Sequence, residues 1–162
     1  VAENVRLAIA TGVAGISIED RHGIDLYPIA LATERIRASR EAIDRSGENG
    51  VLVGRSEGLL LGNTTIDTTV ERLIAYAAAG ADCVYAPGIR SLADIRALVT
   101  AVAPTPVNVL LIDPTMNVPE LAAAGVRRVS VGGGFAKAAW AAYERVARSV
   151  IEDGHWPRSK AS

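Results

Sequence analysis

This sequence is poor in the residues that usually announce chemistry. Among its 162 residues there is one cysteine, one methionine, one phenylalanine and two histidines. A lone Cys83 cannot form an intramolecular disulfide. Its setting, Asp82-Cys83-Val84-Tyr85-Ala86, favours a packed thiol over a nucleophile. Without a disulfide framework, a cytoplasmic protein is the expectation. His22 and His155 lie far apart and make no zinc cluster. HExxH, paired CxxC, GxSxG and EF-hand patterns are all missing. The formal net charge is only -1, so nucleic acid is not an expected partner. No apolar run approaches the roughly 20 residues of a membrane-spanning helix, so no membrane association is expected. The opening Val1-Ala2-Glu3-Asn4 has no signal-peptide pattern and no methionine. It reads as the middle of a helix, and further residues are expected upstream.

What is present is a repeated plan. Apolar residues make up 49% of the chain and aromatics 4%, which favours helices packed closely on a sheet over a β-sandwich. Short apolar strands are expected at 14–18, 51–54, 82–86, 107–112 and 127–131. Helical spacing is expected at 3–10, 31–46, 68–79, 92–102, about 118–124 and 135–152. Residues 21–30 and 59–66 read as loops, punctuated by Gly23, Pro28 and Gly62. Three segments share one design: Ala10-Thr11-Gly12-Val13-Ala14, Ala78-Ala79-Gly80-Ala81-Asp82 and Ala123-Ala124-Gly125-Val126-Arg127. In each, a helix ends on glycine and turns at once into a strand. Strands alternating with helices through short connections predict a parallel α/β sheet. Two architectures fit: a doubly wound five-stranded sheet, or part of a (β/α)8 barrel lacking its front units.

Candidate site residues cluster where strands end. Gly15-Ile16-Ser17-Ile18 runs into Glu19 and Asp20, and hard cations such as Mg²⁺ or Mn²⁺ take carboxylate oxygens. Neighbouring strand residues face opposite sides, so one of the pair is expected to face the site. The other should pair with a basic residue or cap the loop. Val53-Gly54 runs into Arg55, which can grip a carboxylate or phosphoryl group, and Glu57 can orient it. His22 offers proton transfer and Tyr85 a hydroxyl. Asn108 lies inside an apolar strand, as either a structural anchor or a substrate contact. Gly132, Gly133 and Gly134 precede the last helix and could present N–H groups to an anion, though no Walker or dinucleotide pattern accompanies them.

Taken together, several stretches resemble the phosphoenolpyruvate mutase/isocitrate lyase superfamily. They are Gly15 to Asp20, Val53-Gly54-Arg55-Ser56-Glu57, Arg72 to Asp82, Pro106-Val107-Asn108-Val109 and Gly125 to Gly133. The resemblance runs over about 5–152. It implies strands four to eight of a (β/α)8 barrel, a TIM-barrel domain over 1–152 with a tail at 153–162. It further implies a Mg²⁺-dependent lyase or mutase acting on a small 2-oxo acid through an enolate-like intermediate, provided the front of the barrel is supplied. Glu19, with Asp20 beside it, matches the metal position, Arg55 the substrate-carboxylate position, and Glu57 the acid that follows. Asn108, Gly132 and Gly133 fall at substrate positions, with His22 and Tyr85 as further catalytic candidates. Family members assemble as homo-oligomers and exchange the last helix between subunits. The isocitrate and methylisocitrate lyases carry a cysteine in the loop after the strand-four carboxylate; here that loop is Arg21-His22-Gly23-Ile24-Asp25-Leu26. The alternatives are a truncated, non-catalytic remnant that serves as scaffold, and a small doubly wound domain holding a phosphorylated ligand at Gly132 to Gly134.

Overall fold

The structure, a computed structural model, describes residues 1–157. The part of the tail beyond Pro157, expected to be a loose arm, lies outside the described residues. The chain divides into two compact units, Val1–Ser130 and Val131–Ser162.

The first unit is a parallel sheet with helices. In chain order it contains α1 (Ala2–Ile9), β1 (Gly15–Glu19), β2 (Arg21–His22), β3 (Asp25–Leu26), α2 (Ile29–Ser46), β4 (Val51–Arg55) and α3 (Gly58–Leu61). It continues with α4 (Ile66–Ala78), β5 (Cys83–Tyr85), α5 (Leu92–Ala101), β6 (Val107–Leu110), α6 (Val118–Ala123) and β7 (Arg128–Ser130). The main sheet runs β1-β4-β5-β6-β7, and every pairing is parallel. A doubly wound sheet requires a reversal of strand order, and these five strands show none. Sequential parallel strands are instead the arrangement of a barrel segment.

The two faces of the sheet differ in kind. Leu52, Val84, Val107 and Val109 point to the helices and join Val5, Ile9, Ile36, Ile43, Leu73, Tyr76, Ile95, Leu98 and Leu121 in one buried core. The opposite face carries a small cluster of Val53, Cys83 and Tyr85, with Leu110 beside it. Strand alternation makes this division, because residues one apart point to opposite sides.

Helix boundaries follow local chemistry. Thr65, Ser91 and Asn117 accept N–H groups from the first turns of α4, α5 and α6 through their side chains. Two short elements were not legible in the sequence. The segment 21–26 is a β2–β3 hairpin rather than loop, and Gly58–Leu61 is one helical turn. Strands of two residues and a four-residue helix are shorter than the periods that would reveal them.

The second unit contains α7 (Gly134–Asp153), which ends on Gly154 in the left-handed conformation. It has no buried residue, and Phe135, Trp140, Tyr143 and Ile151 are exposed.

Candidate active site

Strand register creates the site. Glu19 lies beside Arg55, Arg55 beside Tyr85, Tyr85 beside Asn108, and Asn108 beside Arg128. These residues form one row across all five strands, on the face turned away from the main core.

Arg55 is the centre of the row. Its Nη1 lies 3.2 Å from Glu19 Oε1, and its Nε donates to Glu57 Oε1. The guanidinium carbon sits 5.1 Å from the centroid of the Tyr85 ring, within cation–π range. Burial by itself would lower the Arg55 pKa. The hydrogen bond and charge of Glu57, followed by the charge of Glu19, outweigh it and hold the guanidinium above its ordinary value. Arg55 is therefore a cation held between two carboxylates, through Nη1 and Nε. A guanidinium carries five N–H donors, so it can also bind a further carboxylate.

The two adjacent acids go separate ways. Glu19 stays on the Arg55 side and its side chain is 42% exposed. Asp20 turns to the helix side and is buried. Both of its oxygens have protein donors: Oδ1 accepts from the Glu57 N–H at 2.9 Å, and Oδ2 from the Tyr76 hydroxyl at 2.7 Å. Arg72 Nη1 lies 3.2 Å from Oδ2. Asp20, expected as a metal-ligand candidate, thus has protein donors on both carboxylate oxygens. Glu19 is the more exposed carboxylate of the pair. A hard cation takes about six oxygens, and no group of three or more His, Cys, Asp or Glu side chains suited to a metal occurs among the described residues.

Asn108 is fully buried and donates through Nδ2 to Ser130 Oγ at 3.0 Å. Its Oδ1 has no partner, so this strand amide retains acceptor capacity toward the same face. Cys83 is buried, and burial raises its thiol pKa. That is a packed thiol rather than an activated one. His22 sits on the exposed β2–β3 hairpin, its ring centroid 5.0 Å from that of Tyr27. It is not in the Arg55 row. Gly132 and Gly133 belong to the second unit, where Gly133 is the N-cap of α7 and accepts from the Lys137 N–H. A cavity of about 540 Å³ opens on the row's face, lined by Gly15, Ser17, Val51, Val53 and Arg128. It lies toward the N-terminal ends of β1 and β4, and neither Glu19 nor Arg55 lines it.

Three members of this site were not picked out from the sequence. Arg128 shares its strand with Ser130 two residues on, and the pair Arg127-Arg128 had to place one arginine on the inner face. Arg72 and Tyr76 are four apart on α4 and so share a helix face, but nothing local shows that this face meets Asp20.

The pattern of the phosphoenolpyruvate phosphomutase family matches residues 1–151. The chain belongs to this family. A Burkholderia cenocepacia J2315 protein, a lyase/mutase by assignment only, is 41% identical with a TM-score of 0.92; the match covers 99% of this chain and 59% of that one. An oxaloacetate acetylhydrolase, solved with its product oxalate, is 27% identical with a TM-score of 0.85, covering 97% of this chain and 56% of the other. An oxaloacetate decarboxylase of Rhodopseudomonas palustris (strain ATCC BAA-98 / CGA009) is 30% identical over 171 residues, 98% of this chain and 57% of that protein. The chain thus spans little more than half the length of the relatives it matches. The parallel sheet with its flanking helices is a partial TIM barrel of the kind this superfamily builds. No helix among the described residues is long and apolar enough to cross a membrane.

Proposed function

We propose that the protein containing this chain is a lyase or mutase acting on a small 2-oxo acid, with Arg55 as the group that binds the substrate carboxylate. The observation that carries this reading is the Arg55 cluster. A guanidinium is held by Glu57, Glu19 and the Tyr85 ring at a strand end. Relatives named for oxaloacetate chemistry support the substrate class. As a C–C or P–C bond next to the 2-oxo group breaks, negative charge grows on the substrate's oxygens. A fixed guanidinium stabilises that charge without having to reorganise. Tyr85 limits the tilt of Arg55, and Asn108 Oδ1 is an acceptor for a substrate hydroxyl or a bound water. Glu19 is the carboxylate that would contribute to Mg²⁺ or Mn²⁺, with the remaining ligands drawn from outside the described residues. The cation, when bound, would supply further stabilisation of the enolate-like charge. Gly132 and Gly133 remain candidate anion contacts, and His22 a candidate proton carrier on the hairpin.

The same proposal includes a homo-oligomer in which α7 packs on a neighbouring copy. Its support is a 20-residue helix with no buried residue and an exposed aromatic face. The competing reading is a non-catalytic scaffold. It is favoured by β1 and β7 each having one sheet neighbour among the described residues.

One experiment separates them. Pyruvate release from oxaloacetate and from phosphonopyruvate is followed with and without Mg²⁺, using the complete reading frame that contains this chain. Oxalate affinity is measured alongside by calorimetry. The enzyme reading expects turnover, and a loss of about tenfold or more in oxalate affinity for Arg55→Ala, from deleting charge-assisted hydrogen bonds. Absence of turnover together with an unchanged oxalate affinity in Arg55→Ala favours the scaffold.

A further inference from the structure

Asp20 makes more connections than a strand-end acid needs. Its backbone N–H donates to the Arg55 carbonyl at 3.1 Å, and its own carbonyl accepts from the Tyr27 N–H at 2.8 Å. Its carboxylate accepts from the Glu57 N–H at 2.9 Å, a donor two residues beyond Arg55. Asp20 therefore holds the chain on both sides of Ser56. It is itself held from α4, by the Tyr76 hydroxyl and by Arg72, whose Nη1 also donates to the Tyr27 carbonyl at 3.0 Å.

The consequence lies in Glu57. Its carboxylate, 3% exposed, takes the Arg55 Nε–H. Glu57 opens the four-residue α3 without a side-chain capping bond of its own. The N–H of Glu57 is anchored by Asp20, and through that anchor the Glu57 carboxylate is set against Arg55. We propose that Asp20, braced by Tyr76 and Arg72, is a positioning residue that sets the angle of the Arg55 guanidinium through Glu57. This rests on the reading of Arg55 as the carboxylate-binding group. Hydrogen bonds are sensitive to angle as well as distance, so a small rotation at Glu57 turns the remaining N–H donors of Arg55 away from a bound acid.

The test uses Tyr76→Phe, which deletes one hydroxyl and keeps the ring in the core, with Asp20→Asn as a second variant. Two quantities are read on the protein. One is calorimetric affinity for oxalate with Mg²⁺. The other is the Arg55 Nε–H resonance in ¹⁵N spectra, identified by its absence in Arg55→Lys. The expected result for Tyr76→Phe is a loss of about three- to tenfold in oxalate affinity, the size of one hydrogen bond, together with a moved Arg55 resonance. In an Arg55→Lys background the same change at Tyr76 should alter affinity by less than about twofold, since coupled sites are non-additive. Unmoved resonances and wild-type affinities in both variants overturn the proposal. An equal loss of affinity in both backgrounds overturns it too, since a general loss of stability would act that way. Wild-type oxalate affinity in Arg55→Ala defeats the carboxylate-binding reading alone, and the Arg55 resonance in Tyr76→Phe then still decides whether Asp20 positions that side chain.

Discussion

The carboxylate of Asp20 accepts the backbone N–H of Glu57 at 2.9 Å, across 37 residues of chain. It joins the end of β1 to the turn after β4, behind the Arg55 row. Its other oxygen faces the Tyr76 hydroxyl and Arg72, and the Asp20 side chain is 1% exposed. Replacing Asp20 with alanine would leave the Arg72 guanidinium poorly solvated and without its counter-charge. The expected loss is about 3–5 kcal/mol of unfolding free energy, the usual result of breaking a buried pair from one side. Urea denaturation measures it, and a loss below about 1 kcal/mol would show that Arg72 finds another partner.

Gly54 sets how close Tyr76 comes to the sheet. A Cβ at position 54 would lie 2.9 Å from Tyr76 Cβ and 3.2 Å from Ala81 Cβ. Gly54→Ala should therefore push α4 outward and cost about 1–3 kcal/mol by overpacking. The same displacement should loosen the Tyr76–Asp20 hydrogen bond. Chemical denaturation checks the first effect. Faster hydrogen exchange at the Glu57 amide checks the second.

Burial, then the charge and hydrogen bond of Asp20, push the Tyr76 phenol above its ordinary value of 10.0. The folded chain therefore holds this proton more tightly than the unfolded chain does. The resulting stabilisation is complete below the unfolded value and is lost as pH rises through the folded one. Phenolate absorbance during alkaline titration should show a late component that Tyr76→Phe removes. Identical titration curves for the two proteins would contradict the buried placement of the hydroxyl.

Cys83 should be a slow thiol. Burial raises its pKa and outweighs the opposing effects of Arg128 and the Asn108 backbone. With little thiolate and little access, reaction with Ellman's reagent at pH 8 should be slow in the folded protein. One equivalent should react promptly in urea, since the chain has one cysteine. Rapid native reaction would place Cys83 at an accessible surface.

Much of the fold was legible because its signals are local. A glycine ending a helix and a short apolar strand following it are written in neighbouring residues, as at Gly80-Ala81-Asp82-Cys83-Val84. Ser91 capping α5 belongs to the same class. The hairpin at 21–26 and the turn of helix at 58–61 escaped because each is shorter than one repeat of its own pattern. The resemblance of Val53 to Glu57 pointed to Arg55, and strand alternation to an opposed Glu19 and Asp20. No local pattern assigned Asp20 to Arg72 and Tyr76, which lie 52 and 56 residues away.

By itself, then, the sequence determined the order of the five main-sheet strands and the longer helices, the polar ends of those strands and the family. Each of these depends on residues a few positions apart, or on a motif that survives in order along the chain. The tertiary structure decided which face each acid serves. It gave Glu19 to Arg55 and buried Asp20 beneath α4. It brought Arg128 into the row of Arg55, Tyr85 and Asn108. The physical reason is register: hydrogen bonding between parallel strands sets neighbours that no spacing in the sequence specifies.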